Sequence, residues 1–558
     1  MSKPFIKQFG VNAMERLKRT RFKHHDTRDL TLAPGWLVPV YCRDVIPSDV
    51  WNAKEIDISV KQVLESAKPT FGDVYLSIYY FFVPYRLLWK KFTDIFGAGK
   101  PSEWDNPVET VLPRFPFKAG ESASSISMKS NTGNGYDAVV NTSVAAAGST
   151  PSLYSIRYNL LDYLGYGHTA FATSVKNVMV NLLHPAAYEK IWTDFFRNEN
   201  VQEPDPDVEK IYNYSGSGAL DIRLGLHYAG KLKDVYTSAL PSPQKGAPVT
   251  VSLGDSAPVM LFADSQSFNT TDTLVAHPTS QIDADESSNV TVQNNSGGLG
   301  HYFADLSNAI GATVNEVRFD FAMQRMKERD ARGGTRYNEY LLSCFESYNG
   351  DITLGRPELL GGDTIQLNMT TVPSTGANPG KLGGMSNTNA STKPFVKTFG
   401  EFGVLMAVAT IRPRKMYCQG VPKFASKYRR YHLYDPALQH VGDQPISTSE
   451  LYARAGDDQV FGFQEAWYEY RSDENVVCAD MRGGTADMDA WSYAEKFTNM
   501  PYLNSDFVAE KGESIIKTLV GFNNAYPGYV YGMHIDYHME VTSPMQPHSI
   551  PGLIDHIM

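Results

Sequence analysis

Apolar residues in this chain come in short runs broken by turn formers, and the runs switch between two periods. Gly35 to Trp51 (GWLVPVYCRDVIPSDVW) sets β-branched and aromatic residues between turn formers and predicts a strand. VYLSIYYFFVPYRLLW, from Val74 to Trp89, predicts a second, largely buried strand. Leu87, Leu88, Phe92, Ile95 and Phe96 then recur at helical spacing until Gly97 stops the helix. A helix is predicted from Ser152 to Leu164, where Leu153, Ile156, Leu160, Leu161 and Leu164 share one face. Another is predicted in HPAAYEKIWTDFFRNENV, where Tyr188, Ile191, Trp192, Phe195 and Phe196 form a core-facing stripe. Thr313 and Glu316 have capping-box spacing and open a helix through about Arg329, which Gly333-Gly334 breaks. A further helix carries Tyr337, Tyr340, Leu341, Cys344 and Phe345. From Thr364 onward strands return as TIQLNMTTV, FGVLMAVATIRP, FGFQEAWYEYR and YVYGMHIDYHMEV.

Strand-like runs at both ends, with helices and long loops between them, predict a mainly β scaffold carrying grafted insertions. No internal repeat and no βαβ rhythm is visible. Composition agrees: 42% hydrophobic residues with 32 Tyr, 28 Phe and 7 Trp supply a large core, while 44 Gly and 32 Pro break the chain into short pieces. At 558 residues the chain suits two domains or one elaborated domain. The most apolar run, Val74 to Trp89, is split by Pro84 and Arg86 and falls short of the roughly 18 residues of a membrane span, so no membrane insertion is expected. The basic N-terminus is followed by no apolar stretch of signal-peptide length. Cys42, Cys344, Cys418 and Cys478 lie far apart without metal-ligand spacing. They read as reduced, mostly buried thiols of a protein made in the cytoplasm.

Net charge is −10, but the charge is unevenly placed. Lys3 to His25 holds seven Lys/Arg against one Glu, clustered as Arg16, Lys18, Arg19, Arg21 and Lys23. Such a basic arm, taken as residues 1–30, is a candidate for neutralising phosphates without sequence preference. The opposite extreme is Gly246 to Val317, which has no Lys or Arg and is rich in Asp, Ser, Thr, Asn and Gly. A phosphate backbone would repel it, so it reads as an elaborated, solvent-facing insertion with strands of its own, VTVSL and VMLF near its start.

Two constellations carry candidate chemistry. KFASKYRRYHLY, Lys423 to Tyr434, interleaves Lys423, Lys427, Arg429 and Arg430 with four aromatic rings. Cations for phosphate and rings for base stacking make Lys427, Arg429 and Arg430 candidate DNA contacts. The same pattern serves packing between subunits, with arginines pairing acids on a neighbour, and that reading is favoured. His534, Asp536, His538 and Glu540 alternate with apolar residues, which puts four metal-binding residue types on one strand face. Neighbours on that face sit about 6–7 Å apart, so at most two reach one ion and a polar surface or interface is the stronger reading. A nucleophile elbow, a phosphate-binding loop and an HExxH zinc helix are all missing, so no catalytic residue and no cofactor is expected.

Seven phrases, in order, point to one family: FFVPYRLLWKKF, AAYEKIWTDFFRNENV, TSALPSPQKG, ERDARGGTRYNEYL, RPELLGG, VFGFQEAWYEYR and SIPGLIDHIM. From about Pro39 to Met558 the chain resembles the major capsid proteins of microviruses, most closely the gokushovirus-like branch. The resemblance implies an eight-stranded antiparallel jelly roll, with long, partly helical insertions between strands. It implies a structural, non-enzymatic subunit of a T=1 icosahedral shell of about sixty copies, with pentamers as intermediates, around circular single-stranded DNA. The partners it implies are minor capsid, DNA-condensing and scaffolding proteins and a host receptor, in a virion assembled in the bacterial cytoplasm. In that branch the slot after TSALPSPQKG holds a protruding insertion. The expected division is therefore a 1–30 arm, 31–246 as the first part of the jelly roll, a 247–312 protrusion used in host attachment, and 313–558 as the second part. The alternatives are a carbohydrate-binding β-sandwich and, behind it, a metal-dependent cupin-like enzyme.

Overall fold

A computed structural model of the chain describes residues 19–64, 66–92, 112–118, 160–166, 177–214, 225–245, 259–262, 301–304, 321, 323–324, 328, 355–373, 382–456, 459–482, 488–519 and 530–548. The chain divides into two compact units, Met1–Pro241 together with Gly350–Met558, and Ser242–Asn349. The second unit spans more than the 247–312 segment picked out by charge.

Eight strands build the first unit: β1 Thr20–Leu32, β2 Val38–Val45, β3 Val50–Gln62, β4 Val74–Pro84, β5 Glu358–Leu367, β6 Leu382–Thr392, β7 Gly403–Pro413 and β8 Tyr531–Ser543. One sheet has the order β1-β8-β3-β6, extended by Met369–Pro373, with Val396–Thr398 also paired to β3. The other has the order β2-β7-β4-β5, and every pairing in both sheets is antiparallel. The chain changes sheet at every connection except β4 to β5, which is the wiring of an eight-stranded antiparallel jelly roll. The mainly β fold expected from the sequence is borne out. Two connections carry most of the extra chain, residues 85–357 after β4 and 414–530 after β7.

The two sheets differ in how they are covered, and their sequences show it. On β8, buried Tyr531, Met533, Ile535, Tyr537, Met539 and Val541 alternate with more exposed polar residues, because only one face lies in the sandwich. On β7 every residue is buried, since a helix packs on the outer face as well. That helix, α1 (Leu183–Ile191), continues into a π-helical turn, Trp192–Phe196, which delivers Phe195 to Phe81 at 4.7 Å between ring centroids. A second helix, α2 (Pro206–Tyr212), starts at Asp205, whose side chain accepts from the Asp207 amide, with Pro206 in the first turn. At the corner before β2, Gly35 adopts φ +84°, and a Cβ there would sit 1.9 Å from the Glu510 carbonyl oxygen. Only glycine fits both the left-handed backbone and the close approach.

Residues 414–519, with Tyr236 from an earlier segment, add a satellite core of Tyr236, Tyr417, Ile446, Leu451, Phe461, Tyr468 and Phe507. Most of the secondary structure among its described residues is short 3-10 turns. FGFQEAWYEYR, expected as one strand, is a strand only over Val460–Glu465. Trp467 then turns left-handed (φ 66°) and Tyr468–Tyr470 is 3-10. Buried cations hold this region. Lys415 Nζ lies 2.7 Å from Glu495 Oε1 and 2.8 Å from Glu510 Oε2, and Lys231 Nζ lies 2.8 Å from Glu495 Oε2.

Three sandwich strands were not anticipated. β1 replaces the end of the predicted 1–30 arm, since the chain enters the sheet at Thr20. Its alternation is hidden because polar side chains occupy both faces. β6 (LGGMSNTNAST) is likewise polar or small and carries little β signal, whereas β3 beyond Trp51 does alternate, with Ile56, Ile58 and Val60 buried between polar residues. The cysteines are a further correction: Cys42 and Cys418 are half-buried and Cys478 is exposed, so the thiols among the described residues are not mostly buried. After β4, Tyr85–Leu88 forms a single helical turn, and the rest of the helix expected to Gly97 lies outside the described residues beyond Phe92. Of the helix expected over Ser152 to Leu164, Leu160–Tyr163 is seen and residues before it are outside the description. In the second unit, Val259–Phe262 pairs antiparallel with His301–Ala304, so VMLF is a strand as expected. Residues 321, 323, 324 and 328 are helical; VTVSL and the helix around Tyr337 to Phe345 lie outside the described residues.

Candidate functional site

The outward face of the β1-β8-β3 sheet gathers most of the charged candidates. Alternation puts His534, Asp536, His538 and Glu540 on one face of β8, as the sequence predicts. The fold then adds partners from β1 that are some five hundred residues away in sequence. His534 Nδ1 lies 2.6 Å from Asp29 Oδ1 and its Nε2 lies 3.1 Å from Asp536 Oδ2. Those two carboxylates raise the His534 pKa above its ordinary value. The Thr27 hydroxyl, which donates to Asp536 at 2.6 Å, and His534 hold the Asp536 carboxyl below the usual range. His25 faces His538 in register and stacks on it at 4.4 Å. Among the described residues, no three of these donors converge on a point where one ion would fit. The face is a cross-linked polar surface.

The arm candidates separate along this surface. Arg16 and Lys18 lie outside the described residues, and Arg19 is exposed just before β1. Arg21 is ion-paired with Glu540, which Lys54 also approaches at 3.3 Å. Lys23 sits exposed opposite Glu540 in the β1–β8 register. Arg21 is therefore committed within its own subunit, whereas Arg19 and Lys23 present their charge to solvent.

KFASKYRRYHLY folds as two tight turns, Lys423–Ser426 and Arg430–His432, followed directly by a third, Pro436–Leu438. Pro422 and Pro436 start two of them, and the Asp435 side chain caps the third by accepting from the Ala437 amide. Its cations divide in two. Lys427 Nζ is 2.6 Å from Glu469 Oε1 and 3.8 Å from the centre of the Tyr470 ring, and Lys423 pairs with Glu450 at 3.3 Å. Glu469, burial notwithstanding, keeps Lys427 protonated with a raised pKa. Arg429, over the Tyr428 ring at 5.2 Å, and Arg430 are exposed. Phe424, Tyr428 and Tyr431 are 73%, 71% and 75% exposed, far more surface than rings keep without an external partner. Sequence reasoning found the segment but not which cations fold back, because Glu469 and Glu450 reach it only through the tertiary structure.

An apolar, aromatic patch beside arginines, on a two-sheet sandwich, has the composition of a protein–protein contact. The chain matches the family model described as "Capsid protein (F protein)" over residues 13–127 and 134–553. It belongs to that family of phage capsid proteins. It is 30% identical over 542 residues to capsid protein VP1 of Bdellovibrio phage phiMH2K, covering 92% of each chain. It is 28% identical to capsid protein VP1 of Spiroplasma virus 4, covering 93% of this chain and 92% of the relative. To capsid protein VP1 of Chlamydia phage 1 it is 24% identical, over 96% of both. The resemblance to gokushovirus-like capsid proteins is borne out, and the chain is a structural subunit of a virion rather than an enzyme. A capsid subunit acts by associating with copies of itself, so its surfaces are its functional site. No helix among the described residues is long and apolar enough to cross a membrane.

Proposed function

We propose that this capsid subunit closes into a T=1 shell of about sixty copies around circular single-stranded DNA, with pentamers as intermediates. The observation that carries the reading is the coincidence of a capsid-family jelly roll with a solvent-exposed patch of Phe424, Tyr428 and Tyr431. Burial of those rings between neighbours supplies the association energy, and Arg429 and Arg430 beside them pair with acids of the adjoining copy. Arg16, Lys18, Arg19 and Lys23 neutralise genome phosphates, a contribution that salt weakens. Lys427 is the weakest of the DNA candidates because Glu469 already holds it. The Lys/Arg-free segment 247–312 faces the host and contributes to attachment. Synthesis in the bacterial cytoplasm and help from scaffolding or DNA-condensing proteins fit the same reading.

Expression of the full chain, followed by light scattering and negative-stain electron microscopy, is expected to show closed spherical particles or regular pentamers. Particles from infected cells carrying alanine at Arg16, Lys18, Arg19 and Lys23 are expected to hold less DNA while the subunit keeps its melting temperature. DNA per particle equal to that of the unsubstituted virion would remove the arm from genome binding. A subunit that stays monomeric even with the other proteins of its phage present would overturn the shell reading.

A further inference from the structure

One cluster in the first unit has no part in surface contacts. Glu189 on α1, Asp205 at the start of α2 and His227 are all buried, at 1%, 5% and 0% exposure. One potential ligand atom from each lies within 4.8 Å of the other two, the only such group among the described residues. Glu189 Oε2 and His227 Nε2 are hydrogen-bonded to one another. The other carboxylate oxygen, Oε1, is buried without any hydrogen-bond partner. Burial pushes the Glu189 carboxyl up to about 7, against the pull of His227.

The three side chains are held by their surroundings. The His227 ring lies flat on Trp192, 3.9 Å between centroids and 11° from parallel. Its backbone amide donates to the Tyr188 hydroxyl at 2.8 Å, and that hydroxyl donates to the Leu37 carbonyl at 2.8 Å. Asp205 is fixed by the Asp207 amide at 2.8 Å. Such positioning is what a metal site needs from the residues around its ligands.

We propose that Glu189, Asp205 and His227 bind one divalent transition-metal ion of the zinc class. An imidazole nitrogen with two carboxylate oxygens suits zinc or manganese, whereas calcium and magnesium prefer oxygen alone. Ligand bonds of about 2.0–2.2 Å place donor atoms some 3.3 Å apart, so the hydrogen-bonded Glu189 Oε2 and His227 Nε2 separate slightly as the ion enters between them. Two carboxylates in a dry interior carry a charge that a dication neutralises, and Asp207, buried and paired with Lys210 at 2.7 Å, adds a like charge nearby. On binding, the proton shared by Glu189 and His227 leaves to solvent. The ion joins α1 and the α2 cap to the extended segment at His227, whose carbonyl accepts from the Leu37 amide at 2.9 Å. It therefore pins the helical cover onto the edge of the β2 sheet.

The test uses the full chain, stripped with chelator, reloaded with Zn2+ or Co2+ and dialysed. About one equivalent is expected to remain, with visible Co2+ bands of a four- or five-coordinate ion and a raised melting temperature. Asp205→Asn keeps the helix cap, since asparagine caps as well as aspartate, and is expected to weaken retention at least about 10-fold. His534→Ala with His538→Ala, which removes both β8 histidines from the surface strip, is expected to change nothing. A wild-type chain that keeps no metal and shows no Co2+ bands overturns the proposal and leaves a hydrogen-bonded Glu–His core pair. Loss of the ion from the His534/His538 variant, with retention in Asp205→Asn, overturns it equally.

Discussion

Lys415→Met is expected to cut the yield of soluble subunit severely and to lower its denaturation midpoint. The Lys415 side chain is 3% exposed and its ammonium touches both Glu510, itself buried, and Glu495, whose side chain is 13% exposed. Burial alone would drive Lys415 toward its neutral form, but Glu510 and Glu495 outweigh it and raise its pKa above the usual lysine value. Removing the cation strands the Glu510 carboxylate in a low-dielectric interior and leaves Glu495 to Lys231 alone, a loss of about 3–5 kcal/mol, set against a typical margin of about 5–15 kcal/mol. Adding Glu495→Gln and Glu510→Gln to Lys415→Met is expected to recover part of the loss, because neutral amides are less costly to bury alone. An unchanged midpoint in the single variant would show that water reaches the cluster.

The same cluster makes the fold sensitive to acid, with a definite sign. Burial pushes the Glu495 carboxyl up, but Lys415 and Lys231 overcome that and hold it at about 2, against an ordinary 4.5. A depressed carboxylate contributes stability that is complete above the unfolded value and lost as pH falls through the folded one. The subunit is therefore expected to lose on the order of 3 kcal/mol between about pH 4.5 and 2 from this residue. Glu495→Gln, less stable at neutral pH, should show a flatter decline over that window.

The second large effect is on assembly. Phe424→Ser, Tyr428→Ser and Tyr431→Ser together are expected to leave a folded subunit that no longer forms particles at concentrations where the unsubstituted chain does. Rings more than 70% exposed contribute little to the fold, and surface substitutions usually stay within about 0.5 kcal/mol each. Burying each ring in a neighbour is worth roughly 1.5–3 kcal/mol. Three lost rings per contact therefore raise the required concentration well over about 100-fold. Light scattering across a dilution series, beside a thermal melt, separates the two properties. Particles forming at an unchanged concentration would remove the patch from the subunit contact, and a fall in DNA per particle instead would assign the rings to base stacking.

Much of this molecule is legible before it folds. The buried runs that became β2, β4, β7 and β8, and the apolar stripe of α1, are local patterns whose period states their structure. The alternation in YVYGMHIDYHMEV placed His534, Asp536, His538 and Glu540 on one face without any coordinates. Seven ordered phrases carried the family. What stayed hidden has a common cause. β1 and β6 carry polar residues on an outward face and weak propensity on the inward one, so their strand form comes from neighbours supplying hydrogen bonds, whereas Ile56, Ile58 and Val60 of β3 form a legible local alternation. Arg21 reads as a free cation until β8 brings Glu540 beside it, and Lys427 until Glu469 arrives. Glu189, Asp205 and His227 show no ligand spacing, and only the packing of α1, the α2 cap and residue 227 makes them one cluster. Period and propensity act over a few residues, so the sequence alone determined which segments are buried and which family they build. Charge pairing acts through space between segments that chain closure alone brings together, and so the tertiary structure decided which charged groups remain free to act.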